Sequence, residues 1–305
     1  MELGAGKVAV VTGAGSGIGL ALAESFARQG CSMVLADVQT DALAAAESTI
    51  GALGVDTLAL EVDVSDRDQV AGLAASTVER FGGVHVVCNN AGVASPGDPW
   101  LGGLESWEWT MGVNFWGVVY GVKTFLPHLV ESGGGHIVNT ASIAGLYPGF
   151  SAPYDASKHA VVALTESLYH SMTVAGLPIG VSCLCPGWVR TGIVEADRNW
   201  PSHLGPPPVR DAAAEVGHKY VSRAIDEGMQ PGAVADLVVS AVQEERFWVF
   251  PHQDFLDIAM ERFHSIGEHA NPVQPEETPG MPPRSQVIEE MMTAMLGAAE
   301  AGGAS

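Results

Sequence analysis

Tyr154 and Lys158 are four residues apart, a spacing that places both side chains on one face of a helix, one turn apart. The phenol of a free tyrosine has a pKa of about 10, so it is a slow base near neutrality. A nearby ammonium stabilises the phenolate and lowers that pKa. The pair is therefore suited to exchange a proton with an alcohol or a carbonyl oxygen.

A third polar group, Ser142, ends the predicted strand GHIVNTAS (135–142), twelve residues before the tyrosine. Its hydroxyl could donate a hydrogen bond to a substrate oxygen and stabilise charge that develops there. Tyr147 also lies near Ser142, but the residue four positions after it is a serine, so no ammonium would activate it. We therefore predict a catalytic group of Ser142, Tyr154 and Lys158.

A glycine-rich turn, TGAGSGIG (12–19), joins the predicted first strand (7–12) to a predicted helix. Such a turn lets backbone N–H groups approach a pyrophosphate, and the helix dipole favours the anion. Gly13, Gly17 and Gly19 would supply the tight turn, the open approach and the close packing of the helix. The spacing Gly-x-x-x-Gly-x-Gly differs from the common G-x-G-x-x-G pattern, but its context between strand and helix predicts a dinucleotide site.

Asp37 ends the second predicted strand, SMVLAD (32–37). A carboxylate at this position can accept hydrogen bonds from the ribose hydroxyls of adenosine, and it would repel a 2′-phosphate. Asp37 thus favours a cofactor without that phosphate.

Short β-branched runs alternate with amphipathic stretches along the chain, which predicts a parallel sheet covered by helices. Further strands are predicted at 57–64, 84–90, 135–142, 179–187 and 247–250, and helices at 18–30, 40–53, 105–131 and 153–175. The predicted fold class is α/β, a Rossmann-type doubly wound parallel sheet of about seven strands with helices on both faces.

Two regions depart from this alternation. Residues 191–230 are too long for a simple connection, and loops of this length commonly form lids. Residues 251–305 predict a helical extension: a helix at 252–270, a Pro-rich linker at 271–283, a short helix near 284–299 and a frayed GGAS end. We therefore predict a Rossmann NAD-binding and catalytic domain at 1–250, including the lid, followed by this extension. The sequence leaves open whether the extension covers its own pocket or that of a neighbour.

The composition excludes several classes of protein. With 305 residues, 47% of them hydrophobic and 16% charged, the chain can bury a sizeable core and is too apolar for disorder. A net charge of −21 opposes binding to nucleic acid or to an acidic partner. Because no apolar run reaches the ~18 residues that span a bilayer and no signal pattern begins the chain, we expect a cytoplasmic protein without membrane contact.

No metal site is predicted. The cysteines lie in or beside apolar runs without a CxxC spacing, which is typical of buried reduced thiols: Cys31, Cys88, Cys183 and Cys185. Glu261, His264 and Glu268 share a helical face and could bind a metal, but a solvated face of an amphipathic helix explains them as well.

Together these motifs resemble the short-chain dehydrogenase/reductase family from residue 5 to about residue 250. TGAGSGIG resembles its TGxxxGxG turn, and YDASK (154–158) its Tyr-x-x-x-Lys pair. NNAG (89–92) resembles the motif that steadies the central sheet beside the adenosine, and Asp63 with Val64 resembles the adenine-pocket pair.

The resemblance implies roles for further residues. Asn114 would interrupt its helix and position a water that links Lys158 to solvent, and Lys158 would also hold the nicotinamide ribose. The implied catalytic residues are Asn114, Ser142, Tyr154 and Lys158. The implied cofactor contacts are Gly13, Ser16, Gly17, Ile18, Gly19, Asp37, Asp63, Val64, Asn90, Ala91, Gly92, Tyr154, Lys158, Pro186, Gly187, Val189 and Thr191.

The resemblance also bears on cofactor and assembly. Members that prefer NADP usually carry a basic residue just before the second motif glycine or just after the acidic strand end, where this sequence has Ser16 and Val38. With Asp37 present, NAD is the predicted cofactor. Homotetramers and homodimers dominate the family, so either is expected here.

Apolar residues in and around the lid predict a medium or bulky, mainly apolar secondary alcohol or ketone as the small-molecule substrate. They are Trp100, Trp188, Val189, Ile193, Val194, Ala196 and Trp200. These side chains could instead only pack the lid. The stretch WVFPHQDFLDIAMERF is loosely similar to family members that oxidise aryl or alicyclic alcohols, including the lignin aryl-ether Cα-dehydrogenases.

Two alternatives remain beside this reading. An NADPH-dependent 3-oxoacyl reductase would need a basic surface for an acidic carrier protein, whereas the lid carries only scattered basic residues, Arg198, Arg210, Lys219 and Arg223. A non-catalytic dinucleotide sensor would be expected to lose the tyrosine or the lysine, and this chain keeps both.

Overall fold

Seven parallel strands form the central sheet of the computed structural model, which describes residues 1–302. The strands are β1 Val8–Thr12, β2 Ser32–Asp37, β3 Thr57–Glu61, β4 Val86–Asn89, β5 Gly135–Thr140, β6 Ile179–Leu184 and β7 Trp248–Val249. Their order in the sheet is β3-β2-β1-β4-β5-β6-β7. The order reverses between β1 and β4, so a crevice opens at the carboxyl ends of these strands. The predicted Rossmann-type fold is confirmed.

Helices cover both faces of the sheet and form the lid and the extension. They are α1 Gly17–Arg28, α2 Thr40–Gly51, α3 Arg67–Phe81, α4 Glu105–Met111, α5 Gly117–Glu131, α6 Ala152–Ala175, α7 Ala212–Asp226, α8 Pro231–Glu244, α9 Asp254–Gly267 and α10 Arg284–Gly302. None of the helices within residues 1–302 is long and apolar enough to cross a membrane.

The core consists of two apolar layers, one on each face of the sheet. Along β1, Val8 and Val10 belong to one layer, whereas Ala9 and Val11 belong to the other. All five residues of β1 are buried. A strand covered on both faces can be apolar at every position, which is why these strands read as continuous hydrophobic runs.

Several predicted strands extended too far. The strands predicted at 57–64, 135–142 and 179–187 end at Glu61, Thr140 and Leu184. The chain leaves the sheet there because the following residues turn into the crevice. Those turning residues include Asp63, Ser142 and Pro186, so strand-like composition continued into the segments that line the site.

The remaining differences lie outside the sheet. The predicted helix at 105–131 is interrupted by a π-helical turn, Gly112–Trp116, which contains Asn114, the residue that the resemblance implied would interrupt the helix. The lid contains two short 3₁₀ turns, Ile193–Asn199 and Ser202–Leu204, before α7. The last helix continues to Gly302 rather than ending near residue 299. The rest of the predicted frayed end, residues 303–305, lies outside the described part of the chain.

The extension packs against the lid of its own chain. Tyr220 of α7 donates a hydrogen bond from its hydroxyl to Glu290 Oε1 of α10 at 2.6 Å. A Cβ added at Gly217 of α7 would lie 2.9 Å from the Cε of Met291, so the two helices are in close contact. The extension therefore covers the chain's own crevice.

Candidate active site

A cleft of about 1570 Å³ opens at the carboxyl ends of the strands, under the lid and the extension. Most predicted site residues line it: Gly13, Ser16, Gly17, Ile18, Gly19, Asp37, Asp63, Val64, Asn90, Ala91, Gly92, Ser142, Tyr154, Lys158, Pro186, Gly187, Val189 and Thr191. Asn114 is the exception among the predicted residues. The structure thus brings motifs that are far apart in sequence together around one cleft.

The glycine-rich turn has no room for side chains. Gly13 has a φ of +68°, and a Cβ there would lie 2.9 Å from the Cα of Ala91. A Cβ at Gly19 would overlap the carbonyl oxygen of Gly13, and one at Gly17 would lie 2.9 Å from Thr191 Cγ2. The turn is a bare backbone cradle at the start of α1, which fits a dinucleotide pyrophosphate.

Replacing Gly19 with alanine should weaken NADH binding by about tenfold or more and lower Tm by several degrees. The added methyl must displace backbone, and overpacking of this kind costs about 1–3 kcal/mol. Fluorescence titration with NADH and thermal denaturation measure the two effects. Gly51→Ala in α2 is the matched control, because its Cβ would meet nothing within 4 Å. Equal NADH affinity in the two variants would contradict a tight fit at this turn.

Asp37 is held rigidly at the end of β2. Its Oδ2 accepts a hydrogen bond from the N–H of Gly15 at 2.8 Å, and its Oδ1 accepts one from the N–H of Gln39 at 3.0 Å. Each carboxylate oxygen keeps a further lone pair, which could accept a hydrogen bond from a ribose hydroxyl. The Gln39 amide also donates from Nε2 to Asn199 Oδ1 at 2.8 Å and thereby ties the lid to this end of the cleft.

The strand ends are joined by side-chain hydrogen bonds. Asn90 donates from Nδ2 to the carbonyl of Thr12 at 3.0 Å and accepts from the Thr140 hydroxyl at 3.2 Å. The Thr12 hydroxyl accepts from the N–H groups of Asn90 at 2.9 Å and Ala91 at 3.1 Å. These bonds connect the ends of β1, β4 and β5 beneath the cleft.

Asp63 and Val64 line the part of the cleft that follows β3. Asp63 Oδ1 accepts hydrogen bonds from the backbone N–H and the hydroxyl of Ser65, at 2.9 and 2.7 Å. Val64 is buried against the start of α5, where a Cβ on Gly117 would lie 2.8 Å from Val64 Cγ2. Both residues are thus fixed by local contacts after β3.

Tyr154 and Lys158 share one face near the start of α6, as their spacing predicted. The Lys158 Nζ lies 5.6 Å from the centre of the Tyr154 ring and donates to the carbonyl of Thr140 at 2.9 Å. Ser142 lies on the adjacent turn, where its Oγ accepts from the N–H of Ala144 at 3.1 Å. Pro186 also receives a bond from this hydroxyl, at 3.3 Å.

The protonation of this pair follows from its burial. Burial raises the pKa of Tyr154 to about 12, although a hydrogen bond with Ser142 works in the opposite direction. Burial lowers the pKa of Lys158 to about 8. At neutral pH the protein without cofactor therefore holds a phenol beside an ammonium. Tyr154 would need additional positive charge nearby to become a phenolate. Without that charge it can donate a proton but is a poor base.

Asn114 lies in the π-helical turn, fully buried behind the cleft wall. Its Nδ2 donates to the carbonyl of Val93 at 2.9 Å and to the Ser157 hydroxyl at 3.1 Å, and its Oδ1 accepts from the N–H of Val93 at 2.8 Å. A Cβ on Gly92 would lie 3.4 Å from this Oδ1 and 3.5 Å from Lys158 Nζ. Asn114 is thus near the lysine, but its side chain fastens the loop after β4.

The other half of the cleft is lined mainly by apolar side chains and is enclosed by the extension. Trp188 donates from its indole Nε1 to the carbonyl of Pro279 at 2.7 Å, and its ring meets Phe150 edge-on at 5.3 Å. Trp109 and Trp200 are packed with ring centres 5.0 Å apart. All the predicted lid and rim residues line this cleft: Trp100, Trp188, Val189, Ile193, Val194, Ala196 and Trp200.

The four cysteines are free and buried, as predicted. Cys183 of β6 and Cys185, which directly follows this strand, have their sulfurs 3.7 Å apart. His264 and Glu268 form an exposed pair at 3.2 Å. Across residues 1–302, no three His, Cys, Asp or Glu side chains are grouped to hold a metal ion.

Comparison with known proteins assigns the chain to a family. The profile of the short chain dehydrogenases matches residues 7–202. The chain belongs to this family. A short chain dehydrogenase/reductase from Burkholderia phymatum, solved in complex with NAD, is 41% identical with a TM-score of 0.88 and covers 91% of this chain and 100% of its own.

Curated relatives of this short-chain dehydrogenase match over nearly the whole chain. The 1-deoxy-11-beta-hydroxypentalenate dehydrogenase of Streptomyces exfoliatus is 35% identical over 288 residues, 92% of this chain and 97% of that protein. The C alpha-dehydrogenase of Sphingobium sp. is 28% identical over 271 residues, 88% of each chain. The protein is therefore an oxidoreductase of alcohols or ketones that acts on a small molecule and uses NAD(P).

Sequence reasoning missed several residues that shape the site of this short-chain dehydrogenase. The Thr12 hydroxyl was overlooked although it stands directly before the glycine motif. Gln274 lies in the linker, where its Oε1 accepts from the Tyr147 hydroxyl at 2.8 Å across 127 residues of sequence. Thr12 could have been found from its position beside the glycine motif, whereas no pattern in the sequence links Gln274 to the cleft.

Proposed function

We propose that the protein is an NAD-dependent oxidoreductase that interconverts a secondary alcohol and a ketone on a medium or bulky, mainly apolar small molecule. The strongest support is that Ser142, Tyr154 and Lys158 line the same cleft as the bare glycine turn and Asp37. The apolar lid and the enclosing extension support the size and polarity of the substrate.

The cofactor would be held along the strand ends. The glycine turn would receive the pyrophosphate, Asp37 the adenosine ribose, and Asp63 with Val64 the adenine. The contacts of Pro186, Gly187, Val189 and Thr191 would follow on the nicotinamide side. When bound, the nicotinamide ring supplies the hydride acceptor for oxidation or the hydride donor for reduction.

The chain's own residues would handle the proton. Tyr154 takes the proton of the alcohol during oxidation and returns it to the ketone oxygen during reduction. Ser142 donates a hydrogen bond to the same oxygen. Lys158 stabilises the phenolate by its charge and binds the nicotinamide ribose. Asn114 holds the loop after β4 beside Lys158 through Val93 and would, as the family resemblance implies, position a water that links the lysine to solvent.

The preference for NAD is supported by the residues around β2. Asp37 offers a carboxylate where a 2′-phosphate would lie, and Val38 and Ser16 on the cleft wall offer no positive charge to balance it. The solved relative from Burkholderia phymatum carries NAD. Binding constants for NADH and NADPH, from nicotinamide fluorescence, test this preference. Tighter binding of NADPH would overturn it.

Replacing Asp37 with alanine and Val38 with arginine should move the NADH-to-NADPH affinity ratio by on the order of 100-fold towards NADPH. The change removes a repelling carboxylate and adds a guanidinium that can bind the phosphate through charge-assisted hydrogen bonds. Fluorescence titration with both cofactors measures it. Asp41→Ala, an exposed acid in the first turn of α2, is the control and should leave the ratio unchanged. An unchanged ratio in the double variant would show that residues other than Asp37 and Val38 determine the preference for NADH over NADPH.

A further inference from the structure

Side chains of both signs line the cleft, although the chain as a whole is strongly acidic. The acidic lining residues at the ends of β2 and β3 are Asp37, Glu61 and Asp63. The arginines that line the cleft belong to the lid and the extension: Arg198, Arg210 and Arg284. The half proposed to hold the substrate therefore carries positive side chains.

Two acidic groups, Asp155 and Glu276, also line the cleft; one oxygen of each accepts hydrogen bonds within the protein, whereas Asp155 Oδ1 is buried without a partner. Asp155 Oδ2 accepts hydrogen bonds from the N–H groups of Gly149 at 2.8 Å and Phe150 at 3.1 Å. Glu276 Oε1 accepts from the hydroxyl and the N–H of Ser285. Neither carboxylate forms an ion pair with an arginine in the described part of the chain.

Arg210 differs from the other two arginines of the cleft. Its side chain is only 20% exposed, yet its guanidinium donates no hydrogen bond to any atom of residues 1–302. The carboxylate of Asp197 is 3.8 Å from Nη1, beyond hydrogen-bond distance. By contrast, Arg198 donates to the carbonyls of Gly192 and Glu195 at 2.7 Å each, and Arg284 is exposed to solvent.

The side chain of Arg210 is partly exposed, and none of its five N–H donors is used in a hydrogen bond within residues 1–302, so these donors are available to a ligand in the cleft. A bound anion would satisfy them. A carboxylate suits the planar guanidinium best, since the two groups can form paired parallel hydrogen bonds. Asp197 lies close enough to orient the guanidinium without using its donors.

Arg210 lies two residues before α7 and lines the cleft together with one face of that helix. The members of this face are Ala214, Gly217, His218, Val221 and Ile225. Gly217 is also the point at which α10 of the extension packs against the lid. A molecule seated on this face would meet mainly apolar atoms and, at its edge, one cation that pairs with Asp197 at 3.8 Å without a hydrogen bond.

We infer that the substrate carries a carboxylate and that Arg210 binds it, so that the enzyme acts on an alicyclic or aromatic hydroxy acid or keto acid. The inference rests on the proposed function and narrows its substrate class. The carboxylate anchors one end of the molecule at the lid, while the apolar ring system fills the space between the lid and the extension.

The test uses the full-length protein saturated with NADH. Binding of cyclohexane-, indane- and naphthalene-carboxylates, each paired with its uncharged carboxamide, is measured by isothermal titration calorimetry. At least one carboxylate should bind on the order of 10- to 100-fold more tightly than its amide. Arg210→Gln should remove that preference and leave the affinity for NADH unchanged. No preference for any carboxylate in the wild type would overturn the inference.

Two further variants separate the alternatives. Arg223→Gln removes another arginine of α7, one that pairs with Glu227 at 2.9 Å, and should keep the carboxylate preference. Asp197→Asn should also keep it; a loss equal to that in Arg210→Gln would show that the pair only holds the lid in place and would overturn the inference. Weaker NADH binding in Arg210→Gln would assign the guanidinium to the cofactor pyrophosphate instead. A wild type that binds no NADH would contradict the proposed function itself.

Discussion

Replacing Tyr154 with phenylalanine should lower the turnover number by a factor of about 10²–10⁴ and leave NADH binding nearly intact. The variant keeps the ring that lines the cleft and loses only the hydroxyl that exchanges the proton, a step that contributes about this much to rate. Lys158, Asp37 and the glycine turn keep their contacts. Oxidation of a secondary alcohol, followed by NADH absorbance, measures the first effect, and fluorescence titration measures the second.

The matched control is Tyr169→Phe. Tyr169 lies on the same helix, but it is 40% exposed and packs against Phe247 away from the cleft. Its loss should leave turnover and NADH affinity close to those of the wild type. Normal turnover in Tyr154→Phe would show that another group moves the proton.

Replacing Lys158 with methionine should lower the rate of alcohol oxidation by at least about 100-fold near neutral pH and move its rise with pH to more alkaline values. Oxidation requires the phenolate of Tyr154. A positive charge nearby stabilises the phenolate and lowers the pKa of the phenol, so removing that charge raises the pKa. NADH binding should also weaken, because the lysine is proposed to hold the nicotinamide ribose.

Oxidation rates between about pH 6 and pH 10 give this profile. In the wild type, burial lowers the pKa of Lys158 to about 8 and raises that of Tyr154 to about 12, and the positive nicotinamide of bound NAD⁺ would lower the pKa of the phenol. Lys123→Met, which removes an exposed lysine of α5, should keep the wild-type profile. If Lys158→Met showed the same pH dependence as the wild type, its ammonium would have no part in the proton transfer.

Much of the fold could be predicted because its signals are local. β1, the glycine turn and α1 are contiguous in sequence. A buried parallel strand followed by a glycine-rich turn is typical of the Rossmann-type fold. Asp37 could be placed for the same reason, since the carboxyl ends of neighbouring parallel strands meet at one edge of the sheet. The pairing of Tyr154 with Lys158 needed only the helical repeat.

The rest depends on contacts between segments far apart in sequence. Gln39 and Asn199 are separated by 160 residues, and Tyr147 and Gln274 by 127, so no periodicity reveals either hydrogen bond. Asn114 illustrates a different limit. The family resemblance marks it as a candidate catalytic residue, but only the structure reveals that its side-chain amide donates hydrogen bonds to Val93 and Ser157.

The sequence alone also could not show which segment encloses the cleft. The sequence indicated only a Pro-rich linker at 271–283, whereas in the structure the carbonyl of Pro279 accepts the indole N–H of Trp188 and Gly280 packs against the same ring. The size of the substrate pocket is therefore set by a segment that the sequence placed outside the catalytic domain.

The most direct test of an NAD-dependent alcohol dehydrogenase is oxidation of a panel of alicyclic and aryl secondary alcohols, with and without a ring carboxylate, using NAD⁺ and NADP⁺ separately. We expect NADH to form with at least one alcohol, at a kcat/KM at least about tenfold higher with NAD⁺ than with NADP⁺. A protein that binds NADH tightly but oxidises none of these alcohols, or one that prefers NADP⁺, would contradict the proposed function.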